Sequence, residues 1–119
     1  MQVDFTGTWK NQHGSALELR VVGGIVSGRF ESGVGDDGQI IWVDISGQAL
    51  DDVITFNALY PRYGTIVAWV GQHTVEKGME SIKTHWLHAT NLPDDQEKEW
   101  MWYSNRIGSD VFTRKGVVA

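Results

Sequence analysis

The chain predicts an all-β fold, an eight-stranded antiparallel up-and-down β-barrel. Three observations carry that reading. Glycine is abundant, at 14 residues, and proline scarce, at 2, a composition suited to short strands joined by tight turns. Leu17, Leu19 and Val21 alternate with Glu18 and Arg20, the two-residue period of a half-buried strand. No stretch of about 11 residues or more carries the 3.6-residue apolar period of a helix.

The elements follow in order. Residues 7–12 make the first strand and 16–22 the second, with Gly23-Gly24 as a two-residue hairpin turn. Strand three covers 25–32 and ends in a Gly/Asp loop over 33–38. Strand four is 40–48, and Asp51-Asp52 turns the chain into strand five, 53–60. Pro61 stops that strand and a short turn passes through Gly64. Strand six is 65–74, and Lys77-Gly78 leads into strand seven, 80–90. A polar stretch over 91–99 offers one helical turn at 94–99. Strand eight divides into 100–106 and 110–115 on either side of Gly108. Consecutive strands with short connections pair as antiparallel neighbours. Eight of them can close and abolish the sheet edges, leaving interior space for one small ligand.

A chain of 119 residues predicts a single domain over 1–119, large enough to hold a core without covalent staples. Cysteine is absent, which excludes disulfides, thiolate metal sites and a cysteine nucleophile. The formal net charge of −5 argues against a nucleic-acid track or an anionic membrane surface as partner. No apolar run approaches the roughly 18 residues of a membrane helix. Met1 to Phe5 lacks a basic region followed by an apolar stretch, so no signal peptide is expected in these residues.

Six tryptophans are present, and four of them fall in short spaced motifs. These are Gly7-Thr8-Trp9, Val67-Ala68-Trp69-Val70-Gly71-Gln72, Thr84-His85-Trp86-Leu87, and Trp102 upstream of Asp110. Rigid indoles converging in a small barrel suggest a walled pocket for a compact ligand. The plainer reading of each is core filling. His85 and His88 lie three apart on one strand and so face opposite sides. His13 and His73 fall in or near loop ends, and no His-Glu-x-x-His pattern occurs, so no metal site is expected. The pairs Asp36-Asp37, Asp51-Asp52 and Asp94-Asp95 read as solvated turns. No nucleophile elbow, P-loop or dinucleotide motif appears, and an enzyme is not expected.

Taken together the motifs resemble the avidin/streptavidin family of biotin-binding proteins. The match runs from about Phe5 to Lys115. Its residues are Gly7-Thr8-Trp9 with Asn11-Gln12 and Gly14-Ser15, then Ser27 to Ser32 with Val34-Gly35, then Ser46-Gly47. Trp69-Val70-Gly71-Gln72, Ile82 to Leu87, Trp102 and Ile107 to Thr113 complete it. No single piece is specific; their order and spacing are.

The resemblance implies a site for biotin. Asn11, Ser15 and Phe30 stand where donors to the ureido carbonyl are expected, and Ser32 and Asp110 where acceptors from its N–H groups are. Asp36 and Thr65 match positions that hold the carboxylate tail, and Val67 one that meets the thioether sulfur. Trp69 and Trp86 correspond to apolar walls, and Trp102 to a wall supplied by a neighbouring subunit. The resemblance also implies a secreted homo-oligomer, tetramer or dimer, with biotin or biotinylated molecules as partners and no cofactor. The chemistry is coherent in itself: a cyclic urea has one acceptor and two donors, and a dry pocket must answer each.

The chain departs from the family at four places. Phe30 replaces a tyrosine, Val67 a threonine, and Asp36 an asparagine. Strand five lacks a tryptophan, leaving Phe56, Ala58 or Tyr60 for that wall. Two other readings stand beside biotin binding. One is a lipocalin-type barrel for another apolar ligand, with few polar groups in its wall. The other is an interaction barrel with a degraded pocket, in which Trp42 and Trp100 are exposed contact residues. Read alone, Asp110 is an ordinary turn aspartate after Gly108-Ser109, and Asn11 a cap for backbone at the barrel end.

Overall fold

The computed structural model describes residues 3–34, 40–100 and 104–115. It is a closed barrel in which each strand pairs antiparallel with the next. The strands are β1 (Gly7–Lys10), β2 (Ala16–Val22), β3 (Ile25–Val34), β4 (Ile40–Leu50), β5 (Val53–Tyr60), β6 (Thr65–Glu76), β7 (Met79–Thr90) and β8 (Asn105–Lys115). Closure is made by β1 against β8, with Lys10 opposite Thr113.

Local chemistry sets the turns. Gly23 and Gly24 both have positive φ, +58° and +79°, the backbone that a twisted two-residue hairpin demands. Lys77 and Gly78 repeat this at the β6–β7 turn, with φ of 52° and 76°. A 3-10 turn over Pro61–Tyr63 joins β5 to β6 and ends in a left-handed Gly64. This alternation of strand directions sorts the connections. The turns at 23–24, 51–52 and 77–78 gather at one end, and the connections at 11–15 and 61–64 lie at the other, where β3 and β7 end and β4 and β8 begin.

Three expectations are corrected. β1 stops at Lys10, two residues early, because the side chain of Asn11 takes over the backbone: its Oδ1 accepts from the N–H of His13 at 3.0 Å and of Ser15 at 2.9 Å. Trp100 belongs to a helix rather than a strand; a 3-10 turn at Asp94–Gln96 runs into α1, Glu97–Trp100. β8 is continuous through Gly108. That glycine gives room to a ring, since a Cβ there would lie 2.1 Å from Trp86 Cζ2.

The turn end is sealed. Phe5 and Trp9 are wholly buried there, and Trp9 Nε1 donates to the Phe5 carbonyl at 2.9 Å. The Arg114 guanidinium lies 4.1 Å from the centre of the Trp9 ring, a cation–π contact. It donates to the carbonyls of Thr6 and Asp4 at 2.9 and 2.6 Å, strapping the N-terminal segment across the base. Glu80 completes the plug, accepting from Arg114 Nε at 2.8 Å and pairing with His73 Nε2 at 2.9 Å. The Arg114 guanidinium beside it holds the Glu80 carboxyl below its ordinary 4.5, against the opposing effect of burial. His73 is therefore an inner residue of β6, edge-on to Phe5 and Trp9, rather than a loop-end histidine.

Candidate ligand-binding site

With the base closed, the inner face opens at the loop end. Side chains alternate across each strand, and the register stacks the inward ones in rows. Gly71, Thr84 and Asp110 form one row, and Trp69, Trp86 and Gly108 the next toward the mouth. Val67, His88 and Arg106 follow, and then Thr65 with Thr90.

Asp110 is the electrostatic centre. It is buried, and its two carboxylate oxygens are held separately. Oδ2 accepts from Trp69 Nε1 at 3.0 Å, and Oδ1 from Gln12 Nε2 at 2.9 Å. Its backbone carbonyl accepts from Thr84 Oγ1 at 2.9 Å. A carboxylate has about four lone-pair directions, so both oxygens can still accept. This is a strand residue on the inner face, not the turn aspartate its neighbours suggest.

Gln12 was not among the candidate ligand groups. It bridges the closing seam, giving its amide to Asp110 and accepting the Val111 N–H at 2.9 Å on Oε1. Its place beside Asn11 was the available signal, but strand alternation hid it, because β1 has ended there.

Asn11 is buried and serves the loop through its carbonyl oxygen. The turn thus fixes the side chain and leaves the amide nitrogen as its donor end. Ser15 is half-buried, with its carbonyl accepting from the Asn11 N–H at 3.0 Å. The two residues are held as one unit.

The apolar wall is aromatic throughout. Trp69 is buried and stacks on Phe56 at a centroid distance of 5.1 Å and 24°. Phe56 also lies directly opposite Trp69 in the β5–β6 register, so it takes the strand-five wall position; Ala58 and Tyr60 lie further toward the mouth. Phe30 meets Trp69 at 5.2 Å, and Phe112 lies 6.2 Å from Phe30. Phe30 thus contributes ring surface where a tyrosine would add a hydroxyl. Trp86 is half-buried against Gly108, and Val67 is half-buried in the next row.

At the mouth, Thr65 and Thr90 share a hydroxyl hydrogen bond of 3.0 Å. They border a groove of about 710 Å³ that continues outside the barrel along Leu59, Ile66, Leu92 and Glu97. His88 faces inward, edge-on to Trp86, while His85 is exposed, the opposition that their spacing predicts. The backbone of Ser32 lies in β3; its side chain, Asp36 and Trp102 lie outside the described residues. So does the Trp100 side chain. Trp42 is 38% exposed and carries the Arg29 guanidinium 4.0 Å above its ring, with Glu18 paired to Arg29. Among the described residues no cluster of three or more His, Asp or Glu side chains could hold a metal ion, and no helix is long and apolar enough to cross a membrane.

A barrel closed at one end, with an aromatic wall around a buried, donor-held carboxylate at the other, is the architecture of a small-molecule binding protein. The chain belongs to the avidin family, whose model matches residues 1–115. Among solved structures it is similar to a biotin binding protein from chicken, with 25% identity, a TM-score of 0.81, and 95% of this chain and 97% of that one covered. Xenavidin gives 26% identity and a TM-score of 0.80 over 96% and 99% of the two chains. A rhizavidin–biotin complex shares the fold at 20% identity and a TM-score of 0.75, over 98% of this chain and 100% of that one. No curated protein sequence matches significantly.

Proposed function

We propose that this protein binds biotin non-covalently at the open end of the barrel, as a binding protein rather than an enzyme. The carrying observation is Asp110: a buried carboxylate with each oxygen aimed by a separate N–H donor, from Trp69 and Gln12. A ureido N–H meeting it makes a charge-assisted hydrogen bond, the stronger kind. Asn11 and Ser15 supply donors for the ureido oxygen, Ser32 a second acceptor, and Trp69, Trp86 and Phe56 the walls. Thr65 and Val67 line the path of the tail, and Asp36 is the residue that the family resemblance assigns to its carboxylate. Affinity is high, yet lower by roughly 1–3 kcal/mol than a tyrosine hydroxyl in place of Phe30 would allow. A lipocalin-type pocket calls for a wall with few polar groups, which fits poorly with the buried Asp110.

Homo-oligomerisation belongs to the same reading. The outer face of β5 to β8 carries Leu59, Ile66, Val70, Leu87 and Ile107 exposed, with Leu87 directly opposite Ile107 and Leu59 opposite Ile66. Contiguous apolar patches of this kind mark contact surfaces, and a self-complementary dimer or tetramer would cover them. Trp102 would then close the site from a neighbouring copy.

The test is the melting temperature with and without free biotin. A ligand at a thousandfold excess over its dissociation constant adds about 4 kcal/mol to stability, roughly 15 °C for a domain of this size. Such a rise is the expected result. An unchanged melting temperature at saturating biotin sinks the proposal and favours the interaction barrel.

A further inference from the structure

We infer that His88 and Arg106 form an anion-reading pair at the mouth, giving the site a preference for ligands whose tail ends in a free carboxylate over tails capped as amides. This rests on the biotin reading above and adds a specificity device to it.

The placement comes from the register. His88 lies opposite Val67 on β6 and opposite Arg106 on β8. Residues directly opposite have Cβ atoms about 4.5–5.5 Å apart, so the two basic side chains share one face of the sheet. Their row is the next toward the mouth from Trp69, Trp86 and Gly108, and the one before the Thr65–Thr90 pair. An apolar tail running over the indoles leaves the barrel past these groups. Val67 offers it no polar atom, so the polar capacity of this level belongs to His88 and Arg106.

Both have bonding capacity in reserve. His88 Nδ1 is buried with no hydrogen-bond partner among the described residues. Its Nε2 has only a long contact of 3.5 Å to Thr90 Oγ1. An unsatisfied buried polar group is destabilising, and a turn of the ring toward an arriving acceptor relieves that cost. Arg106 is exposed at the rim and has no ion-pair partner among the described residues.

Arg106 faces His88 from β8, and β6 presents Val67 and Thr65 at this end. Asp110 lies two rows deeper, beyond Trp86 and Gly108, and Glu97 stands in the adjoining groove. The Arg106 guanidinium can make a charge-assisted contact with a carboxylate tail that an amide cap cannot return.

The experiment measures dissociation constants of biotin and biotinamide for the full chain, His88→Leu and Arg106→Gln. For the parent chain biotin is expected to bind about tenfold more tightly than biotinamide, as one hydrogen bond to a charged group allows. Each variant should bring the ratio toward one. Arg106 is exposed, so its variant keeps the test open if His88→Leu fails to fold. Equal affinities for the two ligands, or a preference unchanged in Arg106→Gln, overturns this inference while leaving biotin binding in place. Binding of neither ligand overturns both.

Discussion

The indole N–H of Trp69 is bonded to Asp110, Nε1 to Oδ2 at 3.0 Å, from two strands apart. One side chain thus supplies both the apolar wall and the orientation of the acid. Replacing Asp110 with alanine removes the acceptor and orphans Trp69 Nε1, while Gln12 Nε2 keeps the Ser109 carbonyl at 3.3 Å. We expect biotin affinity to fall by about 2–3 kcal/mol, thirty- to more than a hundredfold. Trp69→Phe, which keeps the ring surface and deletes the donor, should cost about 1 kcal/mol. Titration calorimetry on both variants checks this, and equal losses would show that the wall rather than the acid carries the energy.

Phe30→Tyr restores a hydroxyl at a position already packed on Trp69 at 5.2 Å. The expected gain is about 1 kcal/mol in biotin binding, seen as a dissociation rate about fivefold slower. A rate that stays the same places the ureido oxygen away from residue 30.

Gly108→Ala sets a methyl group 2.1 Å from Trp86 Cζ2. Either the indole or β8 must move, and overpacking of this kind costs about 1–3 kcal/mol. Both the melting temperature and biotin affinity should fall. A loss of stability with intact affinity would remove Trp86 from the ligand wall.

The Glu80 carboxyl is held below its ordinary 4.5, chiefly by Arg114. A depressed folded value means the ion pair stabilises the fold fully above the unfolded value and loses that contribution as pH falls through the folded one. Melting temperature should therefore drop steeply below about pH 4.5. Glu80→Gln should cost about 3 kcal/mol at neutral pH and flatten the acid limb of the profile. An acid limb of unchanged steepness would assign acid sensitivity to other carboxylates.

Much of this fold is legible in its residues where one force dominates. Alternation in β2 survives into the structure because Leu17 and Leu19 are buried while Glu18 and Arg20 face out. The pattern fails where a side chain competes with the backbone, as Asn11 does in ending β1. It also fails where a segment is too short to show a period, as with the four residues of α1. Gly108 reads as a break because a sequence cannot reveal that a neighbouring strand brings Trp86 against it. The site divides in the same way. Asp110, Trp69 and Trp86 are named as candidates by the family resemblance that the spaced motifs carry, whereas choosing Phe56 over Ala58 and Tyr60 needed the β5–β6 register. Gln12 acts across 98 residues of chain, and no local pattern encodes such a bond.

That bond has a kinetic consequence. Neighbouring strands can zip in order, each hairpin local to the chain, but the meeting of β1 and β8 joins the two extremes. Such long loop closures are the slow, entropically costly steps of folding. Asp110, held by Gln12 across that meeting, is also the acceptor of the proposed site, so under that proposal a partly zipped chain has no competent site. Binding should begin only when the last seam shuts, and a bound ligand should act as a clasp on the seam that opens first.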